Sequence, residues 1–112
     1  MIQGWFLNDN LINKIIDKLK TIMDLELPIN IYDLGLVYEI KVNNINLYYD
    51  VYIEITQIRS SCSSNKSFID LIVSKVKEIH LINNCSVKLV FSPKWDFSMI
   101  TADGLKMLRD KQ

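Results

Sequence analysis

The hydrophobic pattern changes its period in mid-chain, and few architectures accommodate such a change. Between residues 47 and 56, Leu47, Tyr49, Val51, Ile53 and Ile55 alternate with Tyr48, Asp50, Tyr52, Glu54 and Thr56. A period of two puts the aliphatic set on one face of a strand. Farther on, the apolar residues fall at Phe68, Leu71, Ile72, Val76 and Ile79, the spacing of one helix face. A strand that leads into a helix rejoins its own sheet through a crossover, so the next strand is expected to run parallel to it.

The same reading extends in both directions. Tyr38, Ile40 and Val42 point one way with Glu39 and Lys41 between them, and the Asn-rich turn "NNIN" joins this run to the next as an antiparallel hairpin. Upstream, Leu11, Ile12, Ile15, Ile16, Leu19 and Met23 recur opposite Asn13, Lys14, Asp17 and Lys20. That pattern predicts an amphipathic helix over residues 8–23, capped by Asn8 or Asp9. The connection "MDLELPINIYDLGLVYEI" is expected to be mostly extended, with Pro28 disfavouring helix at Leu27 and Gly35 permitting a tight turn. Downstream, Asn83 and Asn84 are expected to end the second helix, residues 87–91 to form the third strand, and residues 99–108 a short helix weakened by Gly104.

The predicted fold is α+β: a two-layer helix-strand-strand-helix-strand-helix domain with a small mixed sheet and the helices on one face. No linker or repeat divides the chain, so residues 1–112 are expected to form one domain.

Charge narrows the function classes. Lys plus Arg and Asp plus Glu number 13 each, so no global basic field exists to attract nucleic acid or an anionic membrane. The opening "MIQGWFLNDN" lacks the cationic flank and apolar stretch of a signal peptide, and the expected location is cytoplasmic. The two cysteines form no C-x-x-C pair, and thiols in that compartment are kept reduced.

Few residues could carry chemistry. Cys62 stands in the polar turn "QIRSSCSSNK" that leads into the second helix. If the helix begins at Ser63 or Ser64, its unpaired N–H groups and dipole favour a thiolate, with Arg59 and Lys66 adding positive potential. An inert cysteine in a loop fits the position equally well. Cys85 is expected to pack at the sheet edge, and His80 to meet the dipole at the end of the second helix. Asp33 could serve as proton acceptor or oxygen ligand beside the thiol, or could satisfy backbone N–H groups of its own loop. Trp95 and Phe97 are expected to cover the sheet or to form a partner-binding patch. No metal cage, phosphate loop or nucleophile elbow is present in the pattern.

Three ordered segments resemble one family. "MDLELPINIYDLGLVYEI", "ITQIRSSCS" and "VFSPKWDFSMITADGLKML" are similar to signatures of the metal–sulfur cluster biosynthetic family, also known as domain of unknown function fifty-nine, over residues 10–108. That family includes SufT-like and PaaD-like proteins. By resemblance, Cys62 matches its reactive cysteine, Asp33 its L-G-L aspartate, Thr56 its strand-end threonine, and Asp24 and Glu26 its acidic pair. Leu25 stands where the family has proline, and Ser92 and Lys94 alter the segment before Trp95.

The resemblance implies an iron–sulfur cluster assembly or maturation factor, not an enzyme, with Cys62 holding iron or a cluster transiently and no stable cofactor. Its implied partners are assembly machinery, cluster carriers or client apo-proteins. A cluster needs about four protein ligands and one thiol supplies too few; a homodimer would bring two copies of Cys62. The alternative is an adaptor for assembly or oxygenase components, PaaD-like, in which the cysteine is dispensable.

Overall fold

A computed structural model describes the backbone of residues 2–24, 27–58 and 65–110, with side chains for residues 10–24, 27–58 and 66–110. The elements in chain order are α1 (Ile2–Leu19), β1 (Val37–Ile45), β2 (Tyr48–Ile55), α2 (Asn65–Lys77), β3 (Ile82–Leu89), a 3-10 turn (Phe97–Met99) and α3 (Ala102–Asp110). This is the predicted order. β1 pairs antiparallel with β2, and β2 pairs parallel with β3, giving a three-stranded mixed sheet in the order β1-β2-β3.

The core lies on one face of that sheet. Tyr49, Val51, Ile53 and Ile55 of β2 are buried, while the alternate Asp50, Tyr52 and Glu54 remain half-exposed on the open face. Leu11, Ile15 and Leu19 of α1 and Ile72 and Val76 of α2 close over the aliphatic side. Each such side chain contributes about 1.5–3 kcal/mol by leaving water. The connection between α1 and β1 supplies as much of the core as a helix does, through Ile29, Ile31, Leu34 and Leu36.

Several boundaries differ from the sequence reading, each for a physical reason. α1 starts at Ile2, so Asn8 and Asp9 lie inside the helix and not at its cap. Their intrinsic cost there, about 0.5 kcal/mol each, is too small to stop a helix. α1 ends at Leu19, where i→i−3 bonds from Thr21 N to Lys18 O and Ile22 N to Leu19 O tighten the chain. Met23 is half-exposed and pairs with Asn30 in a β-bridge.

The hairpin turn is Asn46–Leu47, with Asn46 at φ 56°; Asn43, Asn44 and Ile45 belong to β1, and Leu47 projects into solvent instead of joining the core. A bulge between Val37 and Glu39 moves Tyr38 out of the alternation, so Val37, Ile40 and Val42 pack against the core. α2 stops at Lys77, and a turn with Leu81 at φ 79° feeds β3, which therefore already contains Asn83, Asn84 and Cys85. Leu71 is 43% exposed, outside the buried stripe.

The position of α3 departs most from expectation. It contacts neither the sheet closely nor the other helices, and packs instead on the α1–β1 connection.

Candidate functional site

The connection before β1 is wound, not extended. Met23 and Asn30 face each other across a small bridge, with Asp24 N donating to Ile29 O at 3.0 Å and Ile31 N to Ile22 O at 2.9 Å. The Asp24 carboxyl accepts from Leu27 N at 2.9 Å and so closes the loop between the bridge arms. Glu26, its partner in the sequence reading, lies outside the described residues.

The segment "NIYDLG" then makes one helical turn. Asn30 Oδ1 accepts from Asp33 N at 2.8 Å, as an N-cap side chain does from the third residue of a helix, and Leu34 N closes on Asn30 O at 3.0 Å. Gly35, at φ +86°, ends the turn in the left-handed region open to glycine.

This turn presents Asp33 to the C-terminal segment. Asp33 is 3% exposed, and its two carboxyl oxygens have separate partners: Asn30 Nδ2 donates to Oδ2 and Thr101 Oγ1 to Oδ1, both at 2.8 Å. Thr101 is also the N-cap of α3, since its Oγ1 accepts from Gly104 N at 3.0 Å while its own N–H donates to Asp33 O at 2.8 Å. One hydroxyl thereby joins the helix start to the acid loop. Trp95 Nε1 donates to Leu34 O at 2.7 Å, adding a third tie.

Two of the chain's three glycines lie along this seam. A Cβ on Gly104 would stand 2.7 Å from Asp33 O, and one on Gly35 2.4 Å from Met99 O. Glycine at both places lets backbone approach backbone. Gly104, expected only to weaken α3, is what allows α3 to dock.

Thr56 lies at the same end of the sheet, 1% exposed, with its N–H donating to Leu36 O at 2.8 Å. The Tyr38 hydroxyl hydrogen-bonds the Thr56 side chain, donates to Pro93 O at 2.8 Å and reaches Met99 Sδ at 3.5 Å. Burial raises the Tyr38 phenol above its usual range and the Asp96 carboxylate adds to this, against the Thr56 hydrogen bond. Asp96 caps the 3-10 turn by accepting from the Ser98 hydroxyl and from Ser98 N, which hold its carboxyl below the usual value.

Asp33 and Thr56 are thus gathered at one end of the sheet, where β2 leaves toward residue 62. Cys62 itself, with the helix start expected at Ser63 or Ser64 and the flanking Arg59, lies outside the described residues. Gln57 Oε1, one position past Thr56, is buried without a hydrogen-bond partner among the described residues. Among the described residues no backbone N–H group bonds the Asp33 carboxyl; its own loop reaches that group through the Asn30 amide.

Cys85 is half-buried on the edge strand β3, and burial pushes its thiol up to about 11, with Lys77 pulling the other way. His80 is exposed in the turn beyond α2. Trp95 is half-buried against Phe97, ring centroids 5.4 Å apart, whereas Phe97 is 65% exposed. Among the described residues no three His, Cys, Asp or Glu side chains gather in a metal-binding group, and no helix is long and apolar enough to cross a membrane.

Asn30 and Thr101 were not singled out from sequence, and Tyr38 and Gly104 were read only as a strand residue and as a glycine that weakens a helix. A capping signal could have flagged Asn30 and Thr101: each begins a turn, and each has a residue three positions on that its side chain bonds.

Comparison with known proteins places this geometry among relatives. The profile of a family described as iron–sulfur cluster assembly protein matches residues 12–89. An iron–sulfur protein maturation auxiliary factor of Porphyromonas gingivalis is 28% identical over 91 residues, covering 81% of this chain and 84% of that protein. The auxiliary factor SufT of Staphylococcus aureus is 30% identical over 80 residues, 71% of this chain and 88% of that protein.

The crystal structure of a DUF59 domain from Bacillus anthracis superposes with a TM-score of 0.77 at 23% identity, covering 90% and 93% of the two chains, a likeness of fold. The solution structure of a Mycobacterium tuberculosis protein described as associated with iron–sulfur complex assembly and repair gives 0.52 at 26% identity, over 90% and 82%.

Proposed function

The chain belongs to the iron–sulfur cluster assembly protein family, and from that premise we propose that it is a SufT-like maturation factor that helps deliver clusters to client apo-proteins. The family match over residues 12–89 carries this reading, because it includes Asp33, Thr56 and Cys62. The names of the curated relatives support an accessory part in maturation, not a catalytic one.

In this reading the cluster is cargo. Cys62 ligates it transiently, and the carrier and the client supply the remaining thiolates, so that ligands exchange one at a time and iron is never set free. Cys85 is a poor second ligand, because it is half-buried on the edge strand and the burial that pushes its thiol up to about 11 disfavours the thiolate a metal binds. Asp33 and Thr56 act as positioning residues: they fix the end of β2 from which the segment bearing Cys62 departs. Phe97, exposed over the anchored Trp95, offers the contact for a carrier or client. The place of work is the cytoplasm.

Anaerobic reconstitution with iron and sulfide, followed by desalting and iron counting, tests the assignment. With glutathione present throughout to supply the remaining thiolates, wild type and Cys85→Ser are expected to retain a visible chromophore that an added apo-client removes, and Cys62→Ser to retain none. Equal retention by wild type and Cys62→Ser would overturn the ligand role. Normal client maturation in cells with Cys62→Ser but not with Phe97→Ala would establish the adaptor reading instead.

A further inference from the structure

The methionines are distributed unevenly. Met23, Met99 and Met107, the three among the described residues, are absent from the buried core, and all border the connection between α1 and β1. Met23 pairs with Asn30 across the bridge, Met107 Sδ accepts from Asn30 Nδ2 at 3.8 Å, and Met99 packs against Gly35. A flexible thioether commonly fills gaps in a core, but these stand at a polar seam. Two of the sulfurs differ in what reaches them. Met99, half-buried, lines an open cavity of about 680 Å³ together with Gly35, Tyr38, Pro93 and Thr101. Met107 turns its sulfur to Asn30, which is 2% exposed, on the docked side of α3. An oxidant in solvent meets Met99 through the cavity, whereas α3 must lift before it meets Met107.

The Tyr38 hydroxyl gives Met99 its importance. It carries one proton, which it donates to Pro93 O at 2.8 Å; Met99 Sδ, at 3.5 Å, is a weak acceptor and does not compete for it. That bond ties β1 to the tail just before Trp95, Met99 and Thr101 enter the seam.

We propose that Met99 is an oxidation site for hydrogen peroxide and that its sulfoxide releases α3 from the α1–β1 connection. The thioether sulfur attacks one peroxide oxygen: a sulfur–oxygen bond forms, the O–O bond breaks and the sulfur gives up two electrons. The proton of the transferred oxygen passes to the departing hydroxide, which leaves as water. The sulfoxide oxygen is a strong acceptor where a weak one stood, and it draws the single Tyr38 proton from Pro93 O. The added oxygen also takes up space on a residue already packed against Gly35. Both effects act on the tail that leads into α3, and α3 has no close packing on the sheet or the other helices to hold it. The site stands on the seam geometry alone, so its failure is separate from that of the maturation reading.

Treatment of the full chain with hydrogen peroxide, with sulfoxides located over time by peptide mass mapping, tests the proposal. Met99 is expected to oxidise first and Met107 only after it. Met99→Leu, which conserves volume, should slow the oxidation of Met107 about tenfold, the equivalent of roughly one hydrogen bond kept in the seam, while Met23 reacts as in wild type. Tyr38→Phe removes the contested proton, so in that protein Met107 should react at the fast rate with or without Met99→Leu. Oxidation of Met107 at the same rate in wild type and Met99→Leu would overturn the release, and Met99 still reduced when Met107 is oxidised would overturn the site. A slow Met107 in Tyr38→Phe would overturn the part given to the hydroxyl.

Discussion

The aliphatic face of the sheet and the seam at its end are both buried, but they are held in different ways. On the helix side, Ile53, Ile55, Ile72 and Val76 are wholly buried and contact one another through methyl and methylene groups with no directional requirement. At the seam, Asp33, Asn30, Thr101 and Gly104 are joined by bonds of fixed donor and acceptor, with glycine at the closest approach. The first region requires volume and hydrophobicity; the second requires identity. A core accepts substitutes of similar size, whereas a buried polar junction leaves its partners unsatisfied when one member changes.

Substitution at Asp33 is the strongest way to break that contrast. Asp33→Leu removes both acceptors and strands the Asn30 amide and the Thr101 hydroxyl, at a cost of about 4 kcal/mol, while Ile53→Leu costs less than about 1.5 kcal/mol. Urea denaturation of the two variants measures the difference, and equal losses would show the seam to be ordinary packing. Gly104→Ala comes next. Alanine gains about 1 kcal/mol of helix propensity, but its Cβ meets the Asp33 carbonyl at 2.7 Å, so a net loss of about 2 kcal/mol is expected. A stabilised Gly104→Ala protein would mean that α3 docks loosely. Trp95→Phe keeps most of the ring and deletes only the bond to Leu34 O; about 1 kcal/mol by the same assay is expected.

A last effect is one of pH. Burial holds the Cys85 proton up to about 11, above the ordinary thiol value, so between about pH 9 and 11 the unfolded chain releases that proton while the folded chain keeps it. Stability should therefore fall as pH rises through that window, and Cys85→Ala should flatten the fall in thermal melts.

The two regions also differ in how far a sequence reading reaches them. Element order, strand directions and most of the core follow from periodicity, because an aliphatic face is a repeating signal. The seam has no period. Asn30 and Thr101 lie 71 positions apart, and only folding shows that both bond the same carboxyl. Asp33 could be picked out beside Gly35, but whether its partners were backbone or side chain could not. Local propensity failed where context outweighed it: Asn8 and Asp9 inside α1, Asn83 and Asn84 inside β3, and Gly104 within a helix that needs it.

The bulge in β1 has a consequence for the hairpin's arithmetic. Val37 and Ile40 both face the helices although two residues separate them, because Tyr38 is a remainder in a pleat that counts by twos. Remove the remainder and Val37, Glu39 and Ile40 would alternate as an unbroken strand against Ile55, Glu54 and Ile53. The sheet could close without Tyr38. What would be lost is the hydroxyl that reaches Pro93, Met99 and Thr56, so this residue is an insertion that serves the tail and not the strand in which it is counted.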